Sequence, residues 1–135
     1  MPKADAWRRR LRTLRAMALL CRARLLVDWI ALDRWRDSLG LADRTGVRAD
    51  EARRFAADVE WAAGRLPFEI KCLPRAMALS WMLRRAGITH SVVIAARPPQ
   101  RRGANDNLHA WVEVAGETVL GELPGPWVET LRLGN

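Results

Sequence analysis

Residues 72–87, CLPRAMALSWMLRRAG, give the clearest structural signal in the chain. Pro74 suits the first turn of a helix, because the N–H that it lacks would have no partner there. Gly87 is typical of a residue that ends a helix. The stretch therefore predicts a helix that opens at Cys72 and ends at Gly87. Its buried sides carry Met77, Leu79, Trp81, Met82 and Leu83.

The apolar period changes from 3.6 to 2 after this helix, which indicates strands. We expect them at residues 90–96, 108–114 and 117–120. A polar loop at 98–107 separates the first two, and Ala115-Gly116 forms a tight turn between the last two. The segment predicts an antiparallel meander.

Helices are expected before residue 72. The first follows an apolar stripe and continues, with a bend, to about Trp35. After a loop at 38–47, a second helix capped by Asp50 ends near Gly64. Helices followed by a meander predict an α+β fold, in which a Cys-bearing helix packs on a small antiparallel sheet. The stripe consists of Trp7, Leu11, Leu14, Ala18, Cys21 and Leu25.

The length of 135 residues, with 50% apolar and 28% charged residues, is that of one soluble domain. We expect a single domain over 1–135, with a helical part at 1–64 and a core at 65–135. The longest apolar runs are far shorter than the ~20 residues that span a bilayer, and no secretion signal is visible. A cytoplasmic protein with reduced cysteines is expected.

The net charge of +8 comes from 21 Arg and 2 Lys against 15 acidic residues. The bias toward Arg is typical of a GC-rich genome, so the excess is weak evidence for nucleic acid. It is concentrated in residues 1–54, as a patch for an acidic partner or a nucleic acid, or as a solvated face. The Trp residues lie at core-like positions, which disfavours base stacking. No zinc spacing and no Gly-rich phosphate loop occurs, so no metal or cofactor is expected.

Cys72 is the first candidate for chemistry. The unpaired N–H groups and the positive dipole end at a helix start favour a thiolate, which attacks carbonyl carbon. A small core residue at a helix start is the alternative. Cys21, in the middle of the first helix, is expected to be a core residue.

His109, which opens the second strand, is the second candidate, because a nucleophilic Cys needs a general base. The alternative is a structural hydrogen bond. If Ala115-Gly116 is a two-residue turn with unbroken register, Glu122 lies opposite His109 and could orient the imidazole. Glu113, Asp106 or a backbone carbonyl could do the same. The other histidine, His90, is expected at the surface or at a helix end.

These residues resemble a family. Cys72-Leu-Pro-Arg-Ala at a helix start, the strand near Ser91-Val-Val-Ile, and His109-Ala-Trp-Val-Glu-Val before a Gly turn look like the lasso-peptide leader peptidases. Those are bacterial maturation proteases of the transglutaminase-like, papain-related cysteine protease fold. The resemblance covers roughly residues 66–122, and the N-terminal helices fit only in size and character.

The resemblance implies a stand-alone cysteine peptidase that removes the leader from a ribosomally made precursor peptide. Cys72 would be the nucleophile and His109 the general base. The family has an Asp shortly after the His; here Glu122 is the nearest acid. Implied partners are the precursor peptide, a separate leader-binding recognition protein and an ATP-dependent macrolactam cyclase, with no nucleic acid and no membrane. A non-catalytic peptide- or partner-binding module of the same fold is the alternative.

Overall fold

The computed structural model describes residues 2–40, 49–101, 108–123 and 125–134. Its helices are α1 (Pro2–Trp29), α2 (Leu32–Trp35), α3 (Ala49–Arg65) and α4 (Cys72–Ala86), with short 3₁₀ turns at Arg36–Ser38 and Pro99–Arg101. The strands are β1 (Ser91–Ala96), β2 (Leu108–Val114), β3 (Glu117–Leu120) and β4 (Val128–Leu133). No helix in these ranges is both long and apolar enough to cross a membrane.

The four strands form one antiparallel sheet in the order β3-β2-β1-β4. The α+β fold and the meander of β1, β2 and β3 are confirmed. Strand β4 was not predicted, and only its last three residues, Leu131-Arg132-Leu133, alternate in polarity. This fourth strand pairs with β1 and completes the edge that the meander leaves open.

Helix α4 is the centre of the fold, and its predicted bounds are confirmed. It packs on α1 and α3 at one side and on β1 and β2 at the other. Eight of its residues are therefore buried, including Pro74 in the first turn. Gly87 ends the helix in the left-handed conformation, with φ +75°. This packing fixes the position of Cys72 relative to β2.

The turn between β2 and β3 places Ala115 at φ +52° and Gly116 at φ +80°. Positive φ at both central residues is the type I′ arrangement, which favours Asn-Gly. The left-handed region costs alanine roughly 1 kcal/mol. We expect Ala115→Asn to raise the free energy of unfolding by about 0.5–1 kcal/mol in urea denaturation. Ala115→Val is the matched control and should lower it; a stabilising Val would contradict this account of the turn.

The register beyond that turn departs from the expectation. Val114 pairs with Glu117 and Glu113 with Thr118, as predicted, but Val112 pairs with Leu120. One extra residue on β3 makes a bulge, and bulges shift every later pairing by one. The unbroken register that placed Glu122 opposite His109 is therefore wrong from Val112 onward.

The predicted apolar stripe of α1 faces solvent. Trp7, Leu14 and Leu25 are each about 60% exposed, and Cys21 is only half-buried. The face that packs on α3 and α4 carries small residues and one leucine instead. The expectation that Cys21 is a core residue is therefore wrong, because a helix with apolar residues on two faces cannot bury both against one core. The residues buried on the packed face are Ala16, Leu20 and Ala23.

The exposure of two other Trp residues corrects the expectation that the Trp residues lie at core-like positions. Trp29 is 80% exposed and Trp61 58% exposed, whereas Trp35 is buried. The Trp residues as a group are therefore not core residues. The indole of Trp61 has the Arg65 guanidinium 3.9 Å from its ring centroid, so a cation–π contact covers part of it.

His90 is buried, with 2% of its surface exposed, so the expected surface or capping position is wrong. Its Nδ1 lies 2.8 Å from the carbonyl of Ile88, which only accepts, so Nδ1 carries the proton. Its Nε2 then accepts from the Ser80 hydroxyl at 2.6 Å, and that oxygen accepts from the Gly40 N–H at 2.8 Å. This chain of bonds joins the segment after α2 to α4 and to the start of β1.

The buried network makes stability depend on pH. Burial, the largest cause, lowers the pKa of His90 below its usual 6.5. As the pH falls below 6.5, His90 becomes protonated in the unfolded chain at a higher pH than in the folded one. The free energy of unfolding therefore decreases. We expect a loss of at most about 1.4 kcal/mol per pH unit between pH 6.5 and the folded value, and none above pH 7. Urea midpoints at pH 7.5 and 5.5 measure it; an equal pH dependence in His90→Gln would contradict this origin.

Candidate active site

Cys72 is the first residue of α4. The preceding residue, Lys71, is extended, and no side chain caps the helix. The first N–H groups of a helix have no intrahelical acceptor, and Pro74 contributes none. The half-buried Cys72 thiol therefore lies where free N–H groups and the helix dipole favour negative charge.

Arg75 holds the segment that leads into this helix. Its Nε donates to the carbonyl of Ile70 at 2.9 Å, and its Nη1 lies 2.7 Å from the Glu60 carboxylate on α3. These bonds tie the chain before Cys72 to two helices. The position of the thiol is thus fixed by the arginine of the Cys-Leu-Pro-Arg motif.

His109 is the second residue of β2 and is half-buried. Its Nε2 lies 2.5 Å from the backbone carbonyl of Gly121. A carbonyl only accepts hydrogen bonds, so Nε2 carries the proton and Nδ1 keeps the lone pair of the neutral ring. Nδ1 is the atom that can take up a proton, as a general base must.

Gly121 can offer this carbonyl because it lacks a side chain. Its φ is +88°, and a Cβ there would lie 2.8 Å from the carbonyl oxygen of Ala110 and 3.1 Å from the Cβ of Trp111. Only glycine tolerates both the positive φ and the close approach to β2. The sequence does mark this position, because Val119-Leu120-Gly121-Glu122 places a glycine just past β3. It does not indicate which group of this segment faces the His109 imidazole.

Trp127 is a site residue that sequence reasoning missed. Its ring stacks on the His109 imidazole, with 5.2 Å between centroids and 29° between planes. The Arg97 guanidinium lies 4.7 Å from the same indole, and the Trp111 ring lies 5.9 Å from the imidazole. These contacts hold the imidazole plane in addition to the Gly121 bond. The preceding Pro-Gly-Pro marks a turn, but no periodicity connects Trp127 to His109.

Cys72 and His109 line one open groove of about 1460 Å³. This volume exceeds the roughly 300–1,000 Å³ of small-molecule pockets, so it suits an extended chain segment. In the part of the chain that the structure describes, the thiol makes no hydrogen bond to the ring. Such bonds are often long without substrate and shorten when it binds. The predicted pair is thus brought to one groove, without direct contact.

Glu122 also lines the groove, but its side chain is exposed. Among the described residues it has no hydrogen bond to His109. Of the alternatives, Glu113 accepts from Trp111 Nε1 at 2.7 Å and lies 3.2 Å from Arg132, and Asp106 lies outside the described residues. The backbone carbonyl is the alternative that has a contact, and Glu122 as orienting acid stays a prediction.

Charged groups of both signs line the groove, so it has no single electrostatic preference. The groove also exposes Leu108 and Leu123, at 64% and 46%. Within the described ranges, no cluster of three or more His, Cys, Asp or Glu side chains could hold a metal ion. The charged side chains are Arg24, Lys71, Arg75, Arg97, Asp28, Glu60, Glu69 and Glu122.

Comparison with known proteins gives one match. Residues 5–130 match the family model described as "Transglutaminase-like superfamily". The match covers most of the chain, including the N-terminal helices, and contains both Cys72 and His109. No curated protein and no solved structure matches the chain.

Proposed function

Because the chain belongs to the transglutaminase-like superfamily, we propose that it is a cysteine peptidase that removes the leader from a lasso-peptide precursor. The superfamily includes cysteine-dependent acyltransferases and peptidases. The observation that carries the proposal is the groove that Cys72 and His109 share, with Cys72 at the start of α4. The hydrogen bond from His109 Nε2 to the Gly121 carbonyl leaves Nδ1 unprotonated, so that it can act as the base. The motif resemblance of residues 66–122 to leader peptidases supports the choice of substrate.

The proposed reaction begins when the peptide junction between leader and core lies beside Cys72. His109 Nδ1 takes the thiol proton, and the thiolate forms a C–S bond to the junction carbonyl carbon. The carbonyl oxygen becomes an oxyanion, for which the Cys72 backbone N–H is one donor. The C–N bond then breaks as Nδ1–H protonates the departing core amine.

Hydrolysis completes the cycle. His109 Nδ1 takes a proton from water, whose oxygen attacks the thioester carbon. The C–S bond breaks as Nδ1–H returns its proton to the departing sulfur, so the Cys72 thiol and the neutral imidazole are restored. The leader leaves as a carboxylic acid, which loses its proton to water. Neither half-reaction needs a cofactor or an oxidant.

We propose that the chain acts after one partner protein has bound the precursor and before a second one modifies the product. A separate recognition protein would bind the leader and supply most of the affinity, which fits an open groove with charges of both signs. The released core amine is the nucleophile that an ATP-dependent macrolactam cyclase joins to an acidic side chain.

The direct test is incubation with a lasso precursor and its leader-binding protein, followed by mass spectrometry. We expect two products whose masses sum to that of the precursor plus one water. Intact precursor after prolonged incubation of a folded protein, with the partner present, would overturn the peptidase assignment.

A non-catalytic peptide-binding module is the second candidate. It is favoured by one observation, the backbone carbonyl that bonds His109 where the family has a carboxylate. This alternative predicts complex formation with the precursor, with no cleavage and no effect of Cys72→Ala on binding.

A further inference from the structure

The outer face of α1 carries a heptad repeat of apolar residues. Over residues 7–25, the d positions in heptad notation are Trp7, Leu14 and Cys21 and the a positions are Leu11, Ala18 and Leu25. The next d position is Asp28, where the apolar repeat ends. Spacing of this kind, alternating four and three, describes the seam of a coiled coil. The structure leaves the seam open: Leu11 is 47% exposed and Leu25 60% exposed. Trp29, at the edge of the same face, is 80% exposed.

The edges of this seam are basic. Three of the four e positions are Arg8, Arg15 and Arg22, the fourth is Trp29, and the g positions include Arg10 and Arg24. Residues at e and g form the interhelical ion pairs that decide which helix a coiled coil accepts. Among the described residues, Arg8, Arg10 and Arg15 have no acidic partner. Arg24 lies 3.7 Å from the Asp28 carboxylate, and the Arg22 guanidinium lies 4.7 Å from the Trp81 ring centroid. The unpaired edge charge is therefore that of Arg8, Arg10 and Arg15, which an anionic partner would neutralise.

A second copy of the chain fits poorly. A parallel pair of α1 helices would place g against e, and an antiparallel pair would place e against e and g against g. Either arrangement places Arg beside Arg along the seam, and the repulsion between these charges disfavours a dimer of two α1 helices.

A lipid surface also fits less well than a helix. The C-terminal half of the seam is concave: Ala18, Cys21, Leu25 and Trp29 line an open hollow of about 510 Å³. Small residues between large ones form a hole for a side chain of a facing helix, and a lipid surface has no side chain to fill it.

We propose that α1 docks an amphipathic helix of another protein, with apolar a and d residues and Glu or Asp at e and g. The C-terminal half of α1 also contributes Arg24, Val27 and Asp28 to the groove of Cys72, so the docked helix would lie beside that groove. The proposal rests on the exposed seam and its charges and is independent of the peptidase reaction.

The test uses two synthetic four-heptad peptides with Leu at a and d, one with Glu and one with Lys at e and g. Fluorescence anisotropy of each labelled peptide against the full chain measures affinity at physiological salt. We expect saturable 1:1 binding of the Glu-edged peptide and none of the Lys-edged peptide. Leu11→Ala with Leu25→Ala should weaken binding at least about tenfold, since the knobs of the seam are lost.

Charge variants separate specific pairing from general attraction. Arg8→Glu with Arg15→Glu should weaken binding of the Glu-edged peptide about tenfold and create binding of the Lys-edged one. Arg54→Glu with Arg85→Glu makes the same change in net charge on exposed surfaces of α3 and α4 and should change affinity less than about twofold. Circular dichroism checks that each variant is folded.

Four results would overturn the proposal. The first is no binding of the Glu-edged peptide, and the second is equal weakening by the two charge variants. The third is that only phosphatidylglycerol vesicles bind, which would indicate a lipid surface. The fourth is a dimer in sedimentation that Leu11→Ala with Leu25→Ala dissociates, which would indicate a second copy.

Discussion

Cys72→Ala is expected to abolish leader removal, with a loss of at least about 10³-fold in rate. The thiol supplies the electron pair that forms the C–S bond, and no other group in the described part of the groove is a comparable nucleophile. The side chain is half-buried at the start of α4, so its truncation should leave the fold intact. Mass spectrometry of the precursor measures the loss.

Cys21→Ala is the matched control, since it removes the other cysteine, on the outer face of α1. It should retain the rate of the parent protein within about twofold. Leader removal that persists in Cys72→Ala, or fails in Cys21→Ala while both are folded, would contradict the assignment of the nucleophile.

His109→Ala has the second largest expected effect, a loss of about 10²–10⁴-fold in cleavage rate. The ring is the only imidazole in the described part of the groove, and its Nδ1 serves both the thiol and the leaving amine. Removing it also leaves space beside Trp127. Added imidazole should therefore restore part of the rate, and a variant that cleaves normally without it would contradict the role of His109.

Glu122→Gln distinguishes the two ways of orienting His109. If the Gly121 carbonyl fixes the ring, the neutral amide at 122 should change the rate by less than about threefold. A loss close to that of His109→Ala would instead restore Glu122 as the orienting acid. The cleavage rates of Glu122→Gln and His109→Ala are measured with the same precursor and leader-binding protein.

The sequence predicts α4 and the meander well because their signals are local. Pro74 and Gly87 mark the two ends of one helix, and the change of period after Gly87 needs no tertiary information. For the same reason Cys72 and His109 stand out in the sequence itself: one lies at a helix start and the other at a strand start. Their meeting in one groove follows from packing of α4 on β2.

What the sequence could not predict depends on contacts between distant segments. The bulge that moves Glu122 arises on β3 through pairing with Val112 and leaves no composition signal. The apolar spacing on α1 does mark one face of a helix, but which face meets the core is decided by α3 and α4. The buried position of His90 involves hydrogen bonds to Ser80 and, through it, to Gly40, which lies 40 residues before Ser80 in the chain.

The central claim is that Cys72 and His109 act as a pair, and the most direct measurement is the iodoacetamide labelling rate of each cysteine at pH 6.5. Thiols without an activating partner react slowly at this pH, and Cys21 serves as the control cysteine in the same molecule. The account predicts that Cys72 is labelled at least about tenfold faster than Cys21 and that His109→Ala removes the difference. Equal rates for the two cysteines in the parent protein, with the leader-binding protein present as well as absent, would contradict it.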